Sequence, residues 1–321
     1  MEPEGPTSRQ FPFQARQFLG APPVIPPPKP GRIQAAVLFV VPGLALGQAE
    51  QGRLRTLCER LGREIYEATF NGVASSEMNR VGTLFAIAFY VEKPAAPEAI
   101  VAVIDDAAIE IVERLLGMLS FLAGVRLVAE HTQTAWVKDD GGMSSKLEPM
   151  GRPGVTRAPF ELPEDPLGGR PLQPNIFIAL FWLRRALAER DPLDTYAAFM
   201  VSLQAIAREV VTPTPLQRRC SECGHVRVED PGATALVREL VVEKLGSTPD
   251  QFARLWRARN ALVAHGNQAV DAGSFVRLTE LKFEAAMLCY KGIKLALGLP
   301  TDGPPNLDVS FFATSALMYV E

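Results

Sequence analysis

Glycine and proline are concentrated in one internal segment, and this concentration limits the folds that the chain can adopt. From Asp139 to Pro174, thirteen of 36 residues are glycine or proline. Proline removes a backbone donor and glycine weakens both helices and strands, so regular structure does not persist at this density. We therefore predict a linker over residues 139–173 with a domain on each side. The length of 321 residues agrees with about two domains.

The part of the chain before this linker alternates between two apolar patterns. Runs of β-branched and aromatic residues, one of them strictly alternating, predict strands over 35–41, 81–91 and 125–137. Apolar residues spaced three or four positions apart predict helices over 48–70 and 105–122. We therefore expect a mixed α/β domain of unknown role over residues 33–138.

The two ends of the chain differ from the domains between them. Residues 1–32 hold nine of the 27 prolines, which favours a disordered, extended arm. Residues 299–321 form a predicted C-terminal tail that ends in an apolar run at 311–320. That run either packs against the body of the protein or serves a partner.

After Pro174 the apolar spacing is helical as far as residue 298. Proline directly follows Asp191 and Thr248, which is the arrangement of a helix N-cap and its first position. Helices are predicted over 175–190, 191–211, 233–245, 248–265 and 271–297. With no convincing strand among them, residues 174–298 form a predicted all-α bundle. The fold class of the whole chain is therefore expected to be α+β.

Charge and hydropathy restrict the compartment and the partners. The chain has 33 basic and 36 acidic side chains, a net charge of −3, so a wholly basic nucleic-acid coat is excluded. Its longest uncharged stretch, 33–49, is 17 residues and contains Pro42 and Gly43. Such a stretch is too short and too broken to cross a membrane. With no signal-peptide pattern at the N-terminus, we expect a cytoplasmic protein with no membrane partner.

One predicted helix carries an arginine within its apolar stripe. Phe252, Leu255 and Trp256 share a face at helical spacing, and Arg259 lies near the middle of that face. A guanidinium stays charged, so it needs either a carboxylate, such as Glu280 or Glu284, or a ligand.

His265 lies six residues after this arginine, about 9 Å of rise and about 240° of rotation along an α-helix. The two side chains are therefore not stacked neighbours. Either the length of the arginine side chain or a second copy of the helix is needed to bring them into one site.

The run RNALVAHG, Arg259 to Gly266, resembles the motif of the HEPN superfamily. That motif is an arginine, a polar residue and a histidine after four to six intervening residues. The order of the surrounding elements is similar to the Apea-like branch: a helix pair, a cysteine pair, the motif helix and a long closing helix. This resemblance covers about residues 174–298. By its layout, the whole chain also resembles the MauJ-like proteins encoded with methylamine utilisation genes.

The HEPN resemblance implies a chemistry and a partner. It implies that His265 performs acid–base work on an RNA 2′-hydroxyl, that Arg259 stabilises phosphate charge and that Asn260 assists, with no metal required. It also implies a homodimer that brings two motif helices together. The alternative is a non-catalytic HEPN accessory or assembly protein, in methylamine utilisation by the second resemblance. Residues 216–260 include eight basic and six acidic side chains, which is a small basic excess for an RNA-binding surface.

A cysteine pair lies in the loop before the motif helix. Cys220, Cys223 and the nearby His225 have the spacing of one zinc knuckle, which would supply three ligands of a structural zinc site. A second CxxC pair is absent from the sequence, so the fourth ligand is not identified. A reduced pair of loop thiols is the alternative interpretation.

Overall fold

The computed structural model describes most of the chain. The described residues are 26–46, 50–75, 80–129, 131–149, 158–159, 172–189, 191–212, 215–219, 221–264 and 272–302. The chain divides into two compact units, one formed by Met1–Val112 and Val128–Glu164, the other by Glu113–Leu127 and Asp165–Glu321. The N-terminal unit is built on a sheet and the C-terminal unit is mainly helical, so the predicted α+β class is confirmed.

The N-terminal unit contains a five-stranded antiparallel sheet in the order β3-β4-β1-β5-β6. Its strands are β1 (Arg32–Pro42), β3 (Ile65–Ser75), β4 (Arg80–Glu92), β5 (His131–Val137) and β6 (Met143–Pro149). A short parallel pair, β2 (Leu44–Ala45) and β7 (Ala158–Pro159), accompanies the sheet. The central strand β1 is buried along most of its length, which explains why its sequence is a continuous apolar run.

Two helices belong to this part of the chain, α1 (Gln51–Glu59) and α2 (Ile100–Ala123). Residues 113–127, which include the last half of α2, belong to the C-terminal unit. The sequence predicted them in the N-terminal domain, because a single uninterrupted helix carries no sign of a domain change.

The predicted helix over 48–70 is wrong in its second half. The helix α1 ends at Glu59, Gly62 adopts a positive φ of 76°, and β3 begins at Ile65. A left-handed glycine stops a helix because other residues are strained there. The apolar spacing continues from Leu61 to Ile65 across this glycine, so periodicity alone did not reveal the break.

Part of the predicted linker and part of the predicted arm are ordered. Strand β6 lies within 139–173 and pairs with β5 over seven residues. Before β1, Pro26 is buried, and its carbonyl and that of Pro27 accept hydrogen bonds from Gln34 and Tyr90. Residues 1–25, 150–157, 160–171 and the tail beyond 302 lie outside the described residues.

The C-terminal unit contains α3 (Pro174–Ala186), α4 (Pro192–Val210), α5 (Ala233–Arg238), α6 (Pro249–Ala258) and α7 (Ala272–Leu297). All five predicted helices are present, but two of them change geometry before they end. The helices predicted over 233–245 and 248–265 continue beyond α5 and α6 as π-helical segments, Glu239–Lys244 and Arg259–Ala264. The predicted caps are confirmed. The Asp191 carboxylate accepts from the backbone N–H groups of Leu193 and Asp194, and the Thr248 hydroxyl accepts from that of Gln251.

The expectation that this unit contains no strand is wrong. Strands β8 (Leu216–Arg219) and β9 (Val226–Glu229) form an antiparallel ribbon across the cysteine loop. Each strand has only four residues, too few to show a clear alternation in the sequence.

Within the described ranges, no helix combines the length and the apolar character that crossing a membrane requires.

Candidate functional site

The candidate site is built on α6, whose local sequence determines its start and its buried face. Pro249 occupies the first helical position, after the Thr248 cap. Phe252, Leu255 and Trp256 are buried, as the apolar stripe predicted. The motif arginine therefore follows directly on a helix that is anchored in the core of its unit.

The hydrogen-bonding pattern changes at the motif itself. Residues Arg259–Ala264 form a π-helical segment, in which the backbone bonds run from residue i to i+5. Such segments are rare and occur frequently at functional sites. The rotation of about 240° between positions 259 and 265 was calculated for an α-helix. It does not apply across a segment of different pitch.

The side chain of Arg259 is half-buried and has two described contacts. Its Nη1 donates to the Asn260 Oδ1 at 3.0 Å. Its Cζ lies 5.1 Å from the centroid of the Trp256 ring, which is within cation–π range. The Trp256 ring is itself stacked on Phe252, with the centroids 5.7 Å apart. The guanidinium is therefore held by an amide and an aromatic surface.

Within the described part of the chain, no carboxylate forms an ion pair with Arg259. Glu284, one of the two partners considered from the sequence, pairs instead with the guanidinium of the exposed Arg254. The pKa of Arg254 is raised, mainly because its guanidinium is hydrogen-bonded to this carboxylate. The structure therefore does not pair Arg259 with Glu284.

Tyr196, a buried residue in the first turns of α4, also belongs to the site, although no sequence motif includes it. Its hydroxyl donates to the carbonyl oxygen of Leu255 at 2.5 Å, across the interface between α4 and α6. Burial raises the pKa of this phenol well above its ordinary value. The backbone N–H and the guanidinium of Arg259 lie close enough to oppose that shift. A tyrosine in an apolar helix face signals a buried hydroxyl that needs a partner, but only the fold identifies the partner.

The structure brings Arg259 and Asn260 together, whereas His265 lies outside the described residues. The chemistry available at the described part of the site is anion stabilisation. A guanidinium has five N–H donors, and one of them is used by Asn260. The others are suited to the oxygens of a phosphate, which arginine binds in a bidentate manner.

Two of the three candidate zinc ligands lie between strands β8 and β9. Cys223 and His225 are exposed in the turn between the two strands, and Cys220 is outside the described residues. Among the side chains that the structure describes, no three potential metal ligands form a group. Because one predicted ligand is not described, the zinc site stays a prediction.

The described cysteines are expected to differ sharply in thiol reactivity. Burial raises the pKa of Cys58 and Cys289, so the reactive thiolate is scarce at both positions at neutral pH. Cys223 is exposed. Treatment of the native protein with N-ethylmaleimide in chelator, followed by peptide mass spectrometry, should label Cys223 long before the two buried cysteines.

Two controls complete this experiment. Denatured protein should be labelled at every cysteine, and rapid labelling of Cys289 in the native protein would contradict the prediction. Repeating the reaction with added zinc and without chelator distinguishes the two interpretations of the loop. Protection of Cys223 by zinc favours a metal site, and unchanged labelling favours a reduced thiol pair.

Comparison of the chain with protein-family models, with curated proteins and with solved structures finds no significant match.

Proposed function

We propose that the C-terminal unit is a HEPN-like domain that binds RNA and cleaves it without a metal ion. The observation that carries this proposal is the environment of Arg259. Its guanidinium is pre-oriented by Asn260 and Trp256, and no carboxylate in the described chain neutralises it. A cation in this state is suited to a phosphate whose negative charge increases in a transition state.

The proposed reaction is attack of an RNA 2′-hydroxyl on the adjacent phosphorus. His265 accepts the proton of that hydroxyl, which suits a side chain that titrates near neutral pH. The bond from phosphorus to the 5′-oxygen breaks, and that oxygen takes up a proton. The products are a 2′,3′-cyclic phosphate and a 5′-hydroxyl. Arg259 stabilises the charge on the phosphate oxygens, and Asn260 holds the guanidinium.

The proposed active species is a homodimer, because the resemblance implies that two motif helices meet. Its proposed location is the cytoplasm. A single chain has a mass of 35.0 kDa. Light scattering on the preparation used for the activity assay gives the mass of the active species and tests this part of the proposal.

The function is tested by comparing the wild type with His265→Ala on a mixed RNA pool in chelator. Loss of the acid–base group should slow cleavage by about 10²- to 10⁴-fold. Circular dichroism of both proteins is the control, because a folded His265→Ala variant attributes the loss of cleavage to the missing acid–base group and not to unfolding. Equal cleavage by the wild type and His265→Ala would refute the catalytic role of His265.

One observation favours a second candidate, a non-catalytic accessory or assembly protein, in methylamine utilisation by the second resemblance. The basic excess around the motif is small, eight side chains against six between residues 216 and 260. Arg254, one of these eight, is already paired with Glu284. The same assay separates the candidates, because an accessory protein leaves the RNA intact whether or not His265 is present.

A further inference from the structure

Tyr196 contacts the motif helix at the point where its geometry changes. The helix α6 ends at Ala258, and the π-helical segment begins at Arg259. The backbone N–H of Arg259 lies within hydrogen-bond range of the carbonyl oxygens of Leu255 and Trp256. The Tyr196 hydroxyl donates to the same Leu255 carbonyl at 2.5 Å. One carbonyl at the junction is therefore shared between the helix and a side chain from α4.

A side chain that bonds into the helical ladder is a recognised cause of a local change in helix geometry. Here the Leu255 carbonyl has a second donor, so it does not depend on the regular α-helical bond alone. The Arg259 backbone N–H also lies close to the phenol oxygen. The phenol ring is fully buried, which prevents water from replacing the hydroxyl at this junction.

The position of this junction determines where the arginine side chain is directed. Arg259 is the first residue of the π-helical segment, and its guanidinium lies over Trp256, three residues earlier. A change of backbone geometry at this junction would turn the Arg259 side chain around the helix axis relative to Trp256. Such a rotation would move the guanidinium away from both the Trp256 ring and any phosphate presented to it.

We propose that Tyr196 is a positioning residue whose buried hydroxyl holds the Leu255–Arg259 turn and thereby directs the Arg259 guanidinium toward the substrate phosphate. This inference rests on the proposed RNA cleavage. Tyr196 itself does not touch the substrate, and its effect passes through the backbone of the motif helix.

The test compares Tyr196→Phe with Tyr290→Phe. Tyr290 is a matched control because it is also buried in this unit, stacked on Phe121, and its hydroxyl has no hydrogen-bond partner among the described residues. Removal of either hydroxyl preserves the ring. Kinetics on RNA in chelator and peptide-resolved hydrogen exchange over residues 256–264 are measured on both variants.

We expect Tyr196→Phe to lower kcat by at least tenfold with KM unchanged, and to accelerate exchange in residues 256–264. Tyr290→Phe should match the wild type in both measurements. A general loss of stability would not confine the effect to kcat and to this peptide. Unchanged exchange in Tyr196→Phe overturns the inference, and so does accelerated exchange with wild-type kcat.

Hydrogen exchange keeps the two proposals separable. A wild type that does not cleave RNA refutes the proposed function, and the exchange data still show whether the hydroxyl holds the turn. If Tyr196→Phe does not fold, a 3,5-difluorotyrosine at position 196 preserves packing and changes the strength of the hydroxyl as a donor. Altered kcat with unchanged KM then supports the inference, and unaltered kinetics overturn it.

Discussion

Replacing Arg259 by alanine is expected to slow RNA cleavage by about 10²- to 10³-fold, the usual effect of removing one donor that stabilises transition-state charge. Arg259 has no carboxylate partner among the described residues, so its truncation leaves no unpaired buried acid. The fold should therefore remain intact, and the loss should be in the rate. Steady-state kinetics on a defined RNA in chelator, with circular dichroism as the folding check, measure the effect.

Two further variants make this experiment specific. Arg257→Ala removes an exposed arginine of the same helix. Among the described hydrogen bonds, the Nε of Arg257 donates only to the backbone oxygen of Ala253. This variant should therefore cleave RNA at the wild-type rate. Arg259→Lys preserves the charge but lacks the planar fork, so it should recover only part of the activity. Equal rates for Arg259→Ala and Arg257→Ala would contradict the role assigned to Arg259.

Replacing Phe85 by alanine is expected to destabilise the sheet of the N-terminal unit by about 3–5 kcal/mol. Phe85 is fully buried in β4 and stacks on Phe39 of β1, with the ring centroids 5.0 Å apart. Its removal leaves a cavity beside Phe39 on one face of the sheet, where β1 and β4 are paired along their length. Native-state hydrogen exchange of the β1 and β4 amides measures this local stability.

The control for this substitution is Tyr66→Ala. Tyr66 is 43% exposed on the edge strand β3, so its truncation should change the same exchange free energy by less than about 1 kcal/mol. Similar losses for both variants would contradict the view that β1 and β4 form the centre of this core.

The sequence correctly predicted the structural features that are determined by residues close together in the chain. The caps at Asp191 and Thr248 and the buried face of α6 follow from local spacing, and all three are confirmed. Strand β3 was missed because the apolar spacing of α1 continues past Gly62 to Ile65. The β8–β9 ribbon was missed because four-residue strands carry too little pattern.

The candidate site was predictable in part, for a similar reason. Arg259 and Asn260 are adjacent in the chain, and their hydrogen bond is local. The contact of Tyr196 with Leu255 joins residues that are 59 positions apart, and only the packing of α4 against α6 brings them together. The π-helical segment is also invisible in the sequence, because its apolar spacing is compatible with an ordinary helix.

The most direct measurement of the central claim is the chemistry of the RNA ends produced by the wild-type protein in chelator. We expect fragments with 2′,3′-cyclic phosphate and 5′-hydroxyl ends, and no cleavage of an RNA whose 2′-hydroxyls are methylated. Fragments with 3′-hydroxyl ends, or cleavage of the methylated RNA, would contradict a reaction that begins at the 2′-hydroxyl.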